Sequence, residues 1–304
     1  MTEAAEAAVT GVVNEHHRYR PGEPLRRYVA WYTGYRQRGV PPARHRGLPS
    51  PYLTLIFTLD EPLSIEAHPD PGQPPGEFRA LLGGLHSAPA LIRHEGAQSG
   101  IQLALRPPGV RTLLGLPAGE LADIDVPAEA VLGGVCAELR DRVRSVTSWP
   151  ERFAILDEIL LRQLVTGSDG AGCKGTAVAP EVLWAWRQLL RAGGTVRVTD
   201  LATETGWSSR HLASRFRTEI GLTPKAAARV IRFDRAKQTL IRHVDTGAYQ
   251  DGGYQLADLA ADTGYFDQAH LAREFRALAG VPPSQWLAEE FRNVQAGNWV
   301  LDGG

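Results

Sequence analysis

The segment Asp200-Leu-Ala-Thr-Glu-Thr-Gly-Trp-Ser-Ser-Arg-His-Leu-Ala-Ser-Arg-Phe-Arg217 returns, with one inserted residue, as Asp258-Leu-Ala-Ala-Asp-Thr-Gly-Tyr-Phe-Asp-Gln-Ala-His-Leu-Ala-Arg-Glu-Phe-Arg276. Identical pairs include Leu201/Leu259, Ala202/Ala260, Gly206/Gly264, His211/His270, Leu212/Leu271 and Phe216/Phe275, and they continue to Gly221/Gly280 and Pro224/Pro283. Fixed-order self-similarity of this kind marks two copies of one supersecondary unit. Each copy has the grammar of a helix-turn-helix. A short helix with small Ala at the close crossing stops at a glycine, which tolerates the left-handed backbone of a helix end. The next helix begins at a capping side chain, Ser208 or Asp267, and sets Leu212/Phe216 or Leu271/Phe275 four residues apart on a buried stripe. The opposite face is left free to enter a major groove.

Between the copies, Thr223-Pro224 supplies an N-cap and a proline at the first helical position. The helix predicted from there runs through Val230, Ile231, Phe233, Ala236 and Leu240 to about Arg242. Its roughly 19 residues span about 28 Å, a length suited to holding two reading helices in successive major grooves, which lie about 34 Å apart.

These residues resemble the DNA-binding domain of the AraC/XylS family of bacterial transcription regulators, over about Pro180 to Arg292. The elements that carry the resemblance are LATETGWSSRHLASRF, RVIRFDRAKQTL and GYFDQAHLAREFRALAGVPPSQW. The connection from Val244 to Gln255 departs from the family pattern in being longer and richer in glycine. The resemblance implies a bacterial, sequence-specific, double-stranded-DNA-binding regulator of transcription. It further implies an N-terminal β-rich domain that senses a small molecule or dimerises.

With Leu212 and Phe216 inward, the first reading helix presents Ser209, Arg210, Ala213, Ser214 and Arg217. Arg210 is the candidate guanine reader through its bidentate fork, Ser214 can reach a base edge, and Ala213 can meet a thymine methyl. On the second, Gln268 is the candidate adenine reader and Arg273 the guanine reader. Ser208, Arg217, Lys225 and Arg276 are candidate phosphate contacts. For Leu212, Phe216, Leu271, Phe275, Trp184, Trp186 and Trp286 the expected place is the core.

Charge refines this picture. The chain has 304 residues with 33 Lys+Arg and 34 Asp+Glu, a net of −1, which excludes a binder that is basic throughout. Residues 205–242, however, hold nine cations against Glu219 and Asp234, a net of +7, whereas 251–292 hold three cations against seven anions, a net of −4. The first motif is expected to supply most of the phosphate attraction.

Upstream of the repeat the pattern differs. The expected fold class is α+β: a β-rich N-terminal domain with trailing helices, then an all-α domain of two helix-turn-helix motifs joined by a linker helix. Residues 1–20 read as a mobile arm, 21–166 as a sensor or dimerisation domain, 167–179 as a linker, 180–292 as the DNA-binding domain and 293–304 as a tail. Strand-like runs are Tyr52 to Leu59, Leu63 to Ala67, Ala90 to Arg93 and Gly100 to Arg106. Helical spacing follows at Val110, Leu113 and Leu114, then at Val131 to Val143, and again from Ser148, where Ser148 and Glu151 stand at capping-box spacing.

Trp31, Tyr32, Tyr35 and Tyr52 are candidate aromatic walls of a sensor pocket, and ordinary core packing would use the same residues. His16, His17, His45, His68, His86 and His94 contain no HxH pair, so no metal is expected; His45 between two arginines reads as an exposed loop residue or part of an anion pocket. The seam of Phe153, Leu156, Leu160 and Leu164 serves a homodimer or internal burial equally well. Cys136 falls on a helical pattern and Cys173 in the linker, in no zinc or disulfide spacing.

No GxSxG, P-loop or HExxH occurs, so neither enzymatic activity nor a cofactor is expected. The competing classes are an enzyme tethered to DNA by the repeat and a module that has lost DNA recognition. No apolar run approaches a membrane span and the first residues lack a basic signal-peptide start, so the expected place is the cytoplasm, on the nucleoid.

Overall fold

The computed structural model describes residues 11–169, 177–247 and 254–295. The chain begins with strands. β1 (Val13–Tyr19), β2 (Val29–Arg38), β4 (Leu53–Thr58), β7 (Ala80–Gly83), β9 (Ala97–Leu105) and β10 (Asp125–Pro127) form a six-stranded sheet in the order β1-β2-β9-β4-β7-β10. β3 (Ala43–Gly47), β5 (Leu63–Ala67), β6 (Gly76–Phe78) and β8 (Ala90–His94) form a second sheet in the order β3-β8-β5-β6. β1 corrects the expectation of a mobile arm over 1–20 in its second half, where Val13 to Tyr19 pair with Arg38 to Tyr32 along an antiparallel ladder; residues 1–10 lie outside the described residues.

Side-chain alternation divides the six-stranded sheet into two surfaces. Leu53, Leu55, Phe57, Leu82, Ile101, Leu103 and Tyr32 face a layer of helices and join the main core. Those helices are α1 (Pro107–Leu114), α2 (Glu129–Leu132), α3 (Gly134–Ser145) and α4 (Trp149–Asp169). Between the sheets lies a smaller cluster of Ile56, Leu63, Ile65, Leu81 and Ile92.

The seam of α4 is used inside the chain. Phe153, Leu156 and Leu160 are buried and Leu164 is partly buried against the same core, so internal burial accounts for the seam. Ser148 accepts from the Glu151 backbone N–H at 3.4 Å, with the Glu151 carboxylate 2.6 Å from its hydroxyl. α4 continues to Asp169, past the expected start of the linker. Cys136 is buried on α3, its thiol pushed up to about 12 by desolvation, and Cys173 lies outside the described residues.

The second half is helical: α5 (Pro180–Arg191), α6 (Val198–Thr205), α7 (Ser209–Ile220), α8 (Pro224–Asp245), α9 (Leu256–Thr263), α10 (Gln268–Ala279) and α11 (Pro283–Gln295). Phe216, Phe233, Phe275 and Trp286 are buried along its axis, with Phe233 and Phe275 in an edge contact at 4.9 Å and Trp286 beside Phe275 at 5.6 Å. Trp186 is buried and Trp184 partly buried on α5.

Candidate nucleic-acid interface and adjoining cavity

The two motifs are built alike. α6 and α9 each end at a glycine with positive φ, 69° at Gly206 and 81° at Gly264, where a side chain would be strained. Ser208 then caps α7 by accepting from the His211 N–H at 3.2 Å, and Asp267 caps α10 by accepting from the His270 N–H at 2.6 Å. Because both caps stand three residues before the matching histidine, the residue inserted in the second copy is Phe266. Its side chain is 92% exposed at the entry to α10.

α8 joins the motifs. Thr223 caps it through the Ala226 N–H at 3.2 Å, and its 22 residues span about 33 Å. It outruns the expected end at Arg242 by one turn, bringing its length close to the groove repeat.

On α7, Ser209, Arg210, Ser214 and Arg217 are exposed and Ala213 is partly exposed; on α10, Gln268, Arg273 and Arg276 are exposed, as is Lys225 at the start of α8. Ser208 is also exposed, but its oxygen is already used as a cap. The cations of residues 205–242 do not all face outward. Arg229 donates to Glu274 on α10 at 2.8 Å, Lys237 pairs with Asp234 at 2.7 Å, and Arg232 lies over the Tyr265 ring at 5.1 Å. Arg210, Arg217, Lys225, Arg235 and Arg242 remain exposed.

The N-terminal domain grips the end of α7. Arg111 of α1 holds Glu219, which is 3% exposed, with two hydrogen bonds of 3.0 and 2.9 Å. In the short turn Ala118–Leu121, Gly119 approaches so closely that a β-carbon there would fall 2.6 and 2.5 Å from the carbonyl oxygens of Arg217 and Thr218. Glu120 of this turn shares a shallow cleft with Ala213, Ser214 and Arg217. A carboxylate of the first domain therefore borders the reading face of the first motif.

A cavity of about 370 Å³ lies between the two sheets and reaches the helical second half of the chain. Trp31, Tyr35 and Tyr52 line it, with Trp31 and Tyr52 in an edge contact at 4.6 Å. Tyr32 does not. Odd positions of β2 face the cavity, so Tyr32 turns to the helix layer, where it donates to Asp157 at 2.8 Å. His16, His45 and His86 also line the wall. His45 belongs to β3 and not to a loop; burial, helped by His94, holds its imidazole down to about 4, and burial with neighbouring His17 does the same for His16.

α8 and α11 supply the rest: Asp234, Lys237, Gln238, Ile241, Trp286 and Glu290. Arg46 of β3 forms an ion pair with Glu289 of α11 beside them. Burial pushes the Glu290 carboxyl up to about 7 against the pull of Lys237 and Arg46. None of these helix residues was expected at a ligand site, because sequence periodicity shows which face of a helix is apolar but not which domain covers it. Among the described residues no group of three His, Cys, Asp or Glu side chains is arranged to hold a metal ion, and no helix is long and apolar enough to cross a membrane.

Comparison with known proteins agrees with this geometry. Residues 201–289 match a family model described as a helix-turn-helix domain, and residues 17–127 match a domain of unknown function (DUF6597). An uncharacterized HTH-type transcriptional regulator, YbfI of Bacillus subtilis (strain 168), is 34% identical over 76 residues, 25% of this chain and 24% of that one. The match thus spans about a quarter of that relative's length. Among solved structures, ToxT from Vibrio cholerae O395 aligns over 91% of this chain and 97% of its own at 11% identity and a TM-score of 0.47. The AraC-like transcriptional activator CuxR aligns over 75% and 81% at 14% identity and a TM-score of 0.34. The tandem motifs, the helix between them and the matched model together identify residues 201–289 as a helix-turn-helix domain.

Proposed function

We propose that the chain is a sequence-specific transcription regulator that binds double-stranded DNA through α7 and α10 and takes a small-molecule effector in the cavity between its sheets. The observation that carries this reading is the pair of capped, exposed reading helices joined by α8, whose own length is about one groove repeat. In the first motif Ser209, Arg210, Ala213 and Ser214 read bases, with Arg217 and Lys225 on phosphates. In the second, Gln268 and Arg273 read bases, with Arg276 on a phosphate. The sensor unit runs from β1 through α4, and Trp31, Tyr35 and Tyr52 are its effector walls.

The protein acts by binding alone, without catalysis of its own, and works in the cytoplasm on the nucleoid. Effector binding in this cavity would touch both domains at once, because α8 and α11 form part of its wall. The test is selection of bound fragments from a random DNA library by the full chain. The expected product is a bipartite, asymmetric motif whose halves are centred about 10 base pairs apart. Absence of any enriched motif, together with no salt-sensitive binding to random DNA, would overturn the reading.

A further inference from the structure

The charges on the cavity wall do not balance. Arg46 is engaged by Glu289, Lys237 is held by Asp234 at 2.7 Å, and Asp125 faces His68 at 2.7 Å. Burial lowers the pKa of both His45 and His86, so each is neutral near pH 7. Glu290 is left over: among the described residues its carboxyl, which lines the cavity, has no direct hydrogen bond or close ion pair, and feels Lys237 and Arg46 only through space. One turn earlier on α11, the Trp286 indole nitrogen is buried without an acceptor.

We propose that the cavity takes a lipophilic amine, a molecule with an aromatic or aliphatic body and one protonated nitrogen, and that the nitrogen pairs with Glu290. The proposal rests on the effector reading above and names the chemistry of that ligand. A carboxylate ligand would find both nearby cations occupied and would meet Glu290 as a like charge. A neutral ligand would gain nothing from the ionised form of Glu290, which burial already pushes toward protonation. A protonated amine supplies the missing charge through a charge-assisted hydrogen bond. Tyr52 and Trp286 add ring faces suited to a cation, the Trp31 ring already carrying the Arg18 guanidinium at 4.4 Å, and Ile56, Leu63, Ile65 and Leu81 surround the apolar body. A volume of about 370 Å³ is within the range of small-ligand pockets. An oxygen on the ligand near its nitrogen would accept from the Trp286 indole. Because Glu290 belongs to the helix that follows the second reading helix, the ion pair would tie the ligand between the sheets directly to the helix-turn-helix domain.

The test is titration of the full chain, followed by its own tryptophan fluorescence, with three matched probes: 4-phenylbutylamine, 4-phenylbutan-1-ol and 4-phenylbutanoate. The amine should bind at least about tenfold more tightly than the alcohol, as one charge-assisted contact allows, and the carboxylate should bind most weakly. Glu290→Gln should bring the amine to within about threefold of the alcohol while leaving the alcohol unchanged. If the carboxylate binds tightest, or the amine keeps its advantage in Glu290→Gln, the amine assignment fails while the effector cavity stands. If none of the three binds at millimolar concentration, both fall. Should the variant not fold, the order of the three probes on the unaltered chain decides.

Discussion

Arg210 shows how much one side chain is asked to do. It is exposed on the second residue of α7, where the start of a reading helix meets base edges. Arg210→Ala should cost about 1–3 kcal/mol on the selected site and relax preference at one base pair. Quantitative competition between the selected site and single-base variants measures this, and equal loss on specific and random DNA would refute base reading. Phe266 makes the complementary case. A side chain this exposed contributes little to folding, so Phe266→Ala should shift stability by less than about 0.5 kcal/mol. Placed beside Gln268 at the entry of α10, it should nevertheless weaken binding to the selected site. Unfolding curves and DNA titrations on the same variant separate the two effects. Both residues stood in plain view in the sequence, and so did the mistake over Tyr32. Residues 31, 32 and 35 cannot share one face of a strand, and period-two alternation alone would have removed Tyr32 from the pocket.

At the scale of elements, the contact between α1 and α7 decides how freely the first motif can move. Glu219 is almost wholly buried, and Arg111 satisfies both of its oxygens from the other domain. Breaking such a pair from one side leaves a buried charge and costs about 3–5 kcal/mol, far more than an exposed pair. Arg111→Ala should therefore destabilise the chain by about that amount, whereas Arg111→Leu with Glu219→Leu should recover most of it. Urea unfolding of the single and double variants makes the comparison, and additive losses would show that the two side chains do not act as a pair. Gly119 offers no space for adjustment at the same contact, since a β-carbon there meets backbone oxygens and not a flexible side chain. The helices and caps of this region were legible from the repeat, because hydrophobic spacing, glycine stops and capping side chains are local signals. β1 was not: Val13-Asn-Glu-His-His-Arg-Tyr19 has almost no apolar alternation, being an edge strand held by its ladder to β2. The docking of α7 on α1, and of α11 on β3, left no local signal at all. It depends on long-range pairs such as Arg111–Glu219 and Arg46–Glu289, whose members are charged residues that sequence alone would place on the surface.

For the whole molecule, the near-neutral net charge conceals a division of labour that the structure narrows further. Residues 205–242 carry nine cations, but Arg229, Arg232 and Lys237 are turned to Glu274, the Tyr265 ring and Asp234. Only those facing solvent can displace counterions from DNA, and each neutralised phosphate adds about −0.9 to the slope of log K against log salt. The count of cations in the sequence therefore overstates the salt dependence. Lys225, exposed at the start of α8, should contribute one such contact, and Lys225→Gln should make the slope shallower by about one. Arg229 should behave differently, since its guanidinium is already engaged by Glu274 and joins α8 to α10. Arg229→Gln should leave the slope unchanged and instead lower affinity for the bipartite site, because the two reading helices lose one of the contacts that fixes their spacing. Binding isotherms of the two variants over a series of salt concentrations, on the selected site and on random DNA, distinguish these outcomes. A shallower slope in Arg229→Gln would place that residue on a phosphate and would mean that its bond to Glu274 opens when DNA binds.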